Sequence, residues 1–318
     1  MDLFAEDPIM KNGYIITDAV MNDKSYNGTT DKFGITVCSK DYIVKFSKDD
    51  ELTVFTEYIA SNFIQHLGYS CHTVYIGKYK DEFTDGFEDV SIMLDFTENF
   101  QELHSYKDTK QSSEDTDIAD KHYTYDDVIY MINKHSKLNA DNKVRCIRQF
   151  WEMYVCDAIL GNRDRHWGNW GYLINNGVYE PAPMYDNGSS LFPGVGKVID
   201  SFPSLDFMKD RVYTFPASLL QIKKPDRTYR TNYREIIATT QNEILIDVIE
   251  KLKLKFSWQK IMQIAFSIVN DLAVEPRIKE FWVEIIVMRF RCIICKESIE
   301  LLYDEVRDYY AEICKVTV

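Results

Sequence analysis

Gly161-Asn162-Arg163-Asp164-Arg165-His166-Trp167-Gly168-Asn169, answered downstream by Met184-Tyr185-Asp186-Asn187-Gly188, is the stretch on which the reading of this chain turns. Asp164 and Asn169 stand five residues apart, the spacing that places a proton-accepting carboxylate and a metal-holding amide on one loop for phosphoryl transfer. A phosphoryl donor arrives with several negative charges, and Mg²⁺ needs hard oxygen ligands at short range. One carboxylate must stay free to orient the attacking hydroxyl and take its proton, which suits Asp164. Asn169 holds metal without adding charge, and Asp186 adds the charge that binds metal tightly. Asn, Asp and Gly also crowd ordinary turns, but three correctly typed residues in order are hard to obtain from turns alone. The pattern predicts a phosphotransferase.

Such an enzyme needs an upstream lysine on a strand. Residues 34–46 read as a hairpin, two β-branched runs around Ser39-Lys40-Asp41, and Lys45 shares a face with Ile43. From about Asp50 to Leu67 the apolar residues Val54, Phe55, Tyr58, Ile59, Phe63 and Leu67 recur at helical steps. Asp49 and Asp50 supply first-turn charge and Gly68 ends the run. Glu57 lies beside that stripe, where a glutamate can grip the strand lysine. Taken separately, Lys45 reads as a solvated edge lysine and Glu57 as a surface glutamate; together they predict an ion pair. Upstream, Ser25-Tyr26-Asn27-Gly28-Thr29-Thr30-Asp31-Lys32 is small and polar. Its backbone N–H groups can face phosphate oxygens and Lys32 adds a point charge, although no standard phosphate-loop fingerprint is present.

Strand-like runs at 14–19, 35–39, 42–46, 73–79 and 90–96 surround this one helix. The last leads to a hinge at Leu94-Asp95-Phe96, whose backbone can bond an adenine edge. Residues 107–121 read as a polar, mobile insertion, and from Tyr125 onward the pattern is mostly helical. Val144, Ile147, Trp151, Tyr154, Val155 and Ala158 form a stripe running into the catalytic loop. His166 is expected to brace that loop rather than act as a base. The expected architecture is α+β and two-lobed, in the manner of a protein kinase. A small antiparallel-sheet N-lobe with one helix (1–97) is followed by a hinge and insertion (98–123) and a larger, mainly helical C-lobe (124–318).

The order of Lys32, Lys45, Glu57, Asn162-Arg163-Asp164-Arg165-His166-x-x-Asn169 and Tyr185-Asp186 resembles the HipA-like serine/threonine kinases. It is most similar in shape to the short bacterial CtkA type, which likewise carries a Glu-Tyr pair (Glu57-Tyr58), Leu-Gly-Asn (Leu160-Gly161-Asn162) and Asn-Trp-Gly (Asn169-Trp170-Gly171). The likeness spans residues 13–220. It implies ATP and Mg²⁺ as cofactors, Lys45 on phosphate, Asp164 as the base, and Asn169 and Asp186 on the metal. It also implies a protein substrate, a regulatory antitoxin partner, and autophosphorylation of Ser25, seven residues before Lys32. The phosphate loop departs from the usual Gly-Ala-Gln-Glu-Lys form and keeps only Gly28 and Lys32.

Asp164-Arg165-His166-x-x-Asn169 is also the signature of phosphatidylinositol kinases. Those read inositol phosphates with basic residues after the metal aspartate, whereas residues 187–203 here hold one lysine, Lys197, and no arginine. A nucleotide-binding regulatory pseudokinase is a third reading, weakened by the presence of every charged catalytic position. The formal charge of −13 over 318 residues argues against a nucleic-acid partner, because backbone binding needs a basic face. No run of eighteen apolar residues marks a membrane span, and charges interrupt any signal-peptide core in the first twenty residues. Seven scattered cysteines suggest reduced thiols, with Cys292-x-x-Cys295 as helix thiols rather than a zinc site. The expected location is cytoplasmic, with secretion by a signal-less route as the alternative.

Overall fold

Alternation builds the first lobe. In β3 (Lys32–Val37) and β4 (Lys40–Phe46) the buried Ile35, Tyr42 and Val44 join Ile9, Ile16, Val90 and Ile92 in one small core. Ile43 and Lys45 therefore point to the opposite face. Cys38 and Ser39 close the hairpin with φ of 50° and 64°, the paired positive values that match strand twist in a two-residue turn. The computed structural model describes residues 9, 13–16, 20–24, 26, 31–47, 51–80, 86–97, 101–111, 124–214, 217–223 and 228–316. Ser25 and Gly28 lie outside these, so their expected roles are not addressed by the described residues.

The sheet has six strands, adding β1 (Tyr14–Ile16), β2 (Val20–Met21), β5 (Val74–Lys80) and β6 (Phe87–Leu94), in the order β1-β5-β6-β4-β3-β2. Only β1 against β5 is parallel. Lys32 is not a loop residue: it opens β3 and stands directly across from Lys45. The free face is covered by α1 (Thr53–Leu67), which buries Val54, Phe55, Ile59, Phe63, Ile64 and Leu67 and ends at Gly68 in the left-handed conformation. Leu52 rather than an aspartate precedes its first turn; its N–H donates to the Pro193 carbonyl at 2.9 Å, tying the helix start to the other lobe.

The second lobe is mainly helical. α3 (Tyr125–Lys134) and α4 (Ala140–Leu160) begin on Thr124 and Asn139, whose side chains accept from the backbone N–H groups of Asp127 and Asn142. Beyond them come α5 (Leu205–Tyr213), α6 (Tyr233–Thr239), α7 (Glu243–Lys255), α8 (Trp258–Val269), α9 (Pro276–Arg289) and α10 (Ile299–Val316). Two features depart from the expected order. Glu102–Ser105 forms β7, which pairs with β8 (Gly171–Asn175), itself paired with β9 (Val178–Pro181), beside the loop of Asp164, and Tyr106–Gln111 is helical, as α2. The insertion therefore does not begin at Lys107. A hairpin, β10 (Ala217–Lys223) with β11 (Thr228–Asn232), also interrupts the helices. The core of the second lobe is continuous with the buried stripe of α1. Among the described residues no helix is long and apolar enough to cross a membrane.

Candidate active site

α4 delivers the Asp164 loop. Its last turn ends at Gly161 in the left-handed conformation, φ +70°, where a β-carbon would also lie 2.0 Å from Arg289 Nη1. Arg289 donates to the Leu160 carbonyl at 2.9 Å, setting a positive group at the helix C-terminus. Asn162 is buried; its Oδ1 accepts from the Asp164 N–H at 2.9 Å and its carbonyl accepts from Tyr233 Oη at 2.8 Å. The Asp164 side chain is exposed. Asn169 donates through Nδ2 to the Asp164 carbonyl at 2.8 Å, which turns its Oδ1, a hard oxygen donor, the other way. The two residues expected to hold base and metal are locked together by this bond.

Arg165, not His166, braces the loop. His166 is exposed and makes only short-range bonds, accepting at Nδ1 from the Gly168 N–H and donating its own N–H to the Asp164 carbonyl. Arg165 is buried and forks onto Asp157 at 2.9 and 3.0 Å. Its Nη1 donates to the carbonyls of Asn169 and Tyr185 at 2.8 and 2.5 Å, and its Nη2 to Asn187 Oδ1 at 2.6 Å. One guanidinium thus holds the backbone of Asn169 beside the residue that precedes Asp186. Burial alone would lower the Arg165 pKa, but Asp157 holds it above the ordinary range; burial pushes the Asp157 carboxyl up while Arg165 pulls it back.

Asp186 takes the left-handed conformation, φ 56°, which an aspartate adopts at modest cost and which tends to mark functional turns. Its carboxylate meets Lys45 Nζ at 2.8 Å, and the same nitrogen reaches Glu57 Oε2 at 3.3 Å. The predicted Lys45–Glu57 pair is therefore formed. Glu57 is fully buried and accepts from four donors: Lys45, His72 Nε2 (3.1 Å), and the backbone N–H groups of Asn187 (2.6 Å) and Gly188 (3.0 Å). Gly188 keeps this approach open, since a β-carbon there would stand 3.0 Å from Glu57 Oε2, tighter than ordinary contact. Burial would raise the Glu57 pKa, but Lys45, His72 and the Asn187 N–H hold it well below the carboxylate range. Lys45 is held above its ordinary value, the two carboxylates outweighing burial. Lys32 is lowered, first by burial and then by the charge of Lys45.

At the expected hinge one backbone donor is already engaged. The Asp95 N–H donates to the Asp41 carbonyl at 2.9 Å, so that donor does not face an adenine edge. Its carboxylate accepts from Lys24 Nζ (2.9 Å), Tyr26 Oη (3.1 Å) and Thr97, fastening Lys24 and Tyr26 to the end of β6. Phe96 lies against Tyr185, with ring centroids 5.9 Å apart. Sequence reasoning missed Arg165, Asp157, Asn187, Ser61 and His72. The one local signal was Asp157, a lone carboxylate inside an otherwise apolar helical turn.

A curled sheet set over a helical lobe, with this constellation between them, is a protein-kinase-like fold. Residues 24–252 match the HipA-like C-terminal domain family, and the chain belongs to it. It is 30% identical over 235 residues to the serine/threonine-protein kinase CtkA of Helicobacter pylori, covering 70% of this chain and 69% of that protein. It is also similar to the crystal structure of a Helicobacter pylori proinflammatory kinase CtkA, with a TM-score of 0.77 and 26% identity over 94% of this chain and 99% of that one.

Proposed function

We propose that this chain is an ATP- and Mg²⁺-dependent serine/threonine protein kinase. The observation that carries the reading is the double anchorage of the metal loop. Arg165 holds the backbone of Asn169 and Tyr185 together, while Lys45 and Glu57 hold Asp186 and the two N–H groups that follow it. Asn169 Oδ1 and the Asp186 carboxylate are the hard oxygens that suit Mg²⁺. The bound cation would screen the charge of the phosphates. Lys45 and Lys32, side by side on the sheet, receive those phosphates, and Lys45 exchanges Asp186 for them. Asp164, exposed at the cleft, orients the acceptor hydroxyl and takes its proton. Leu94 to Phe96, with the Asp95 N–H already engaged, form the adenine wall. The first lobe, residues 1–97, is the nucleotide lobe and residues 124–318 carry catalysis.

Autophosphorylation of Ser25 belongs to the same proposal. Phosphate there adds roughly −1.5 to −2 charge next to the nucleotide phosphates and switches the enzyme off. Mass spectrometry after incubation with Mg-ATP detects it; phosphate only at other serines removes this part. The functional test is incubation of the purified protein with labelled ATP and Mg²⁺, with a protein acceptor and a phosphatidylinositol acceptor in separate reactions. Label on protein serine or threonine is expected. Label on lipid alone makes it a lipid kinase, and nucleotide binding without transfer makes it a regulatory module.

A further inference from the structure

Behind Glu57 lies a buried polar network that touches neither nucleotide nor acceptor in the proposed reaction. Glu57, Ser61, His72 and Asn187 are each 5% exposed or less. Asn187 Nδ2 donates to Ser61 Oγ at 2.9 Å, Ser61 Oγ bonds His72 Nε2 at 2.9 Å, and that nitrogen bonds Glu57 Oε1 at 3.1 Å. The Asn187 N–H closes the ring on the same Glu57 oxygen at 2.6 Å. His72 is fixed at a second point, since its backbone N–H donates to the Met184 carbonyl at 2.9 Å, two residues before Asp186.

The ring joins three elements that are separate in sequence: α1, the entry to β5, and the loop of Asp186. Lys45 needs only one Glu57 oxygen, Oε2. The other, Oε1, is given wholly to His72 and the Asn187 N–H, so the carboxylate cannot rotate away from Lys45 without breaking both bonds. Isolated burial of this carboxylate would be costly; the ring makes it the fixed point from which lysine and metal loop are both measured.

We propose that His72 is a positioning residue for the phosphotransfer site, holding Glu57 through Oε1 so that Lys45 and the Asp186 loop keep their register. This rests on the kinase reading for its kinetic consequence, but not for its structural one. An imidazole N–H is needed at Nε2, and a glutamine amide can supply a donor at about the same reach, whereas leucine fills the space and supplies none.

The test compares His72→Leu and His72→Gln with the parent in two readouts. The first is the rate at which Lys45 is acylated by an amine-reactive reagent in nucleotide-free protein, followed by peptide mass spectrometry with an exposed lysine, Lys251, as internal reference. His72→Leu should alter the Lys45 rate several-fold while the reference stays constant, and His72→Gln should restore it. The second is steady-state phosphotransfer, where partners that orient a site through another residue cost roughly 10–100-fold. The loss should fall in kcat more than in KM for the nucleotide, be recovered by His72→Gln, and add nothing to a Glu57→Gln background. An unchanged Lys45 rate in folded His72→Leu overturns the proposal whatever the enzyme does. So does a kinetic loss that glutamine does not recover or that multiplies with Glu57→Gln. Parent protein that transfers no phosphate, with Lys45 responding as described, refutes the kinase reading and leaves the positioning role standing.

Discussion

Two glutamates, Glu57 in α1 and Glu284 in α9, are both 0% exposed, yet they meet opposite fates. Glu57 accepts four hydrogen bonds and is held low. Among the described residues neither oxygen of Glu284 has a hydrogen-bond partner, Arg307 Nε stands off at 3.5 Å, and burial pushes the carboxyl up to about 8. Burial is the same in both; donors make the difference. The molecule keeps the Glu57 charge buried where an ion pair sets the site, and at Glu284 burial without donors favours the neutral carboxyl.

The largest effect should come from Glu57→Ala. Removing one side of a buried pair costs about 3–5 kcal/mol, and Asp186 as second partner of Lys45 sets the outcome toward the lower end. Denaturant unfolding measures it, and a loss below about 1 kcal/mol would make Glu57 no different from a surface residue. In phosphotransfer, Lys45→Ala and Glu57→Ala should each reduce activity and the double variant should lose less than their product, as residues acting as a unit do.

Glu284→Gln should have the opposite sign. The folded carboxyl near 8 against an ordinary 4.5 means the folded state holds its proton over that window while the unfolded chain releases it. Parent stability therefore falls as pH rises from 4.5 toward 8, by about 1.4 kcal/mol per pH unit at most. The neutral amide removes this slope, so the variant should be the more stable protein at pH 7.5, by roughly 1–3 kcal/mol. A parent whose stability rises over the same window would mean that Glu284 is ionised.

Arg307→Ala sharpens the contrast with the smallest expected change. With Glu284 neutral at pH 6, losing the facing guanidinium should cost less than about 1 kcal/mol there, and more as pH approaches 8. A loss of about 3–5 kcal/mol at pH 6 would instead be the signature of a true buried ion pair, erasing the difference from Glu57.

What was legible in the sequence was local. Asp164 and Asn169 share one loop, so their spacing carries their relation, and Lys45 and Glu57 each sit on a periodic element whose face could be read. Partners far apart were not legible: Ser61 and Asn187 are 126 residues apart, and nothing near His72 distinguishes it from a satisfied core histidine. Choosing between Arg165 and His166 as the brace needed the position of Asp157 on a helix turned inward. Which backbone donors of the expected hinge are already engaged was not legible either. Pairing of Tyr42 with Leu94 brings the Asp41 carbonyl to the Asp95 N–H, and strand propensity alone does not reveal which edge group is already taken. β7 escaped notice because Glu102-Leu103-His104-Ser105 has no clear alternation.

In the proposed reaction Asp164 takes the acceptor's proton on a metal-nucleotide platform built by other residues. Phosphotransfer from labelled ATP to a protein acceptor by Asp164→Ala, alongside calorimetric titration with Mg-ATP, tests it most directly. Transfer should fall by roughly 10²–10⁴-fold while nucleotide affinity stays close to that of the parent. A folded Asp164→Ala protein that transfers phosphate at the parent rate would contradict the account.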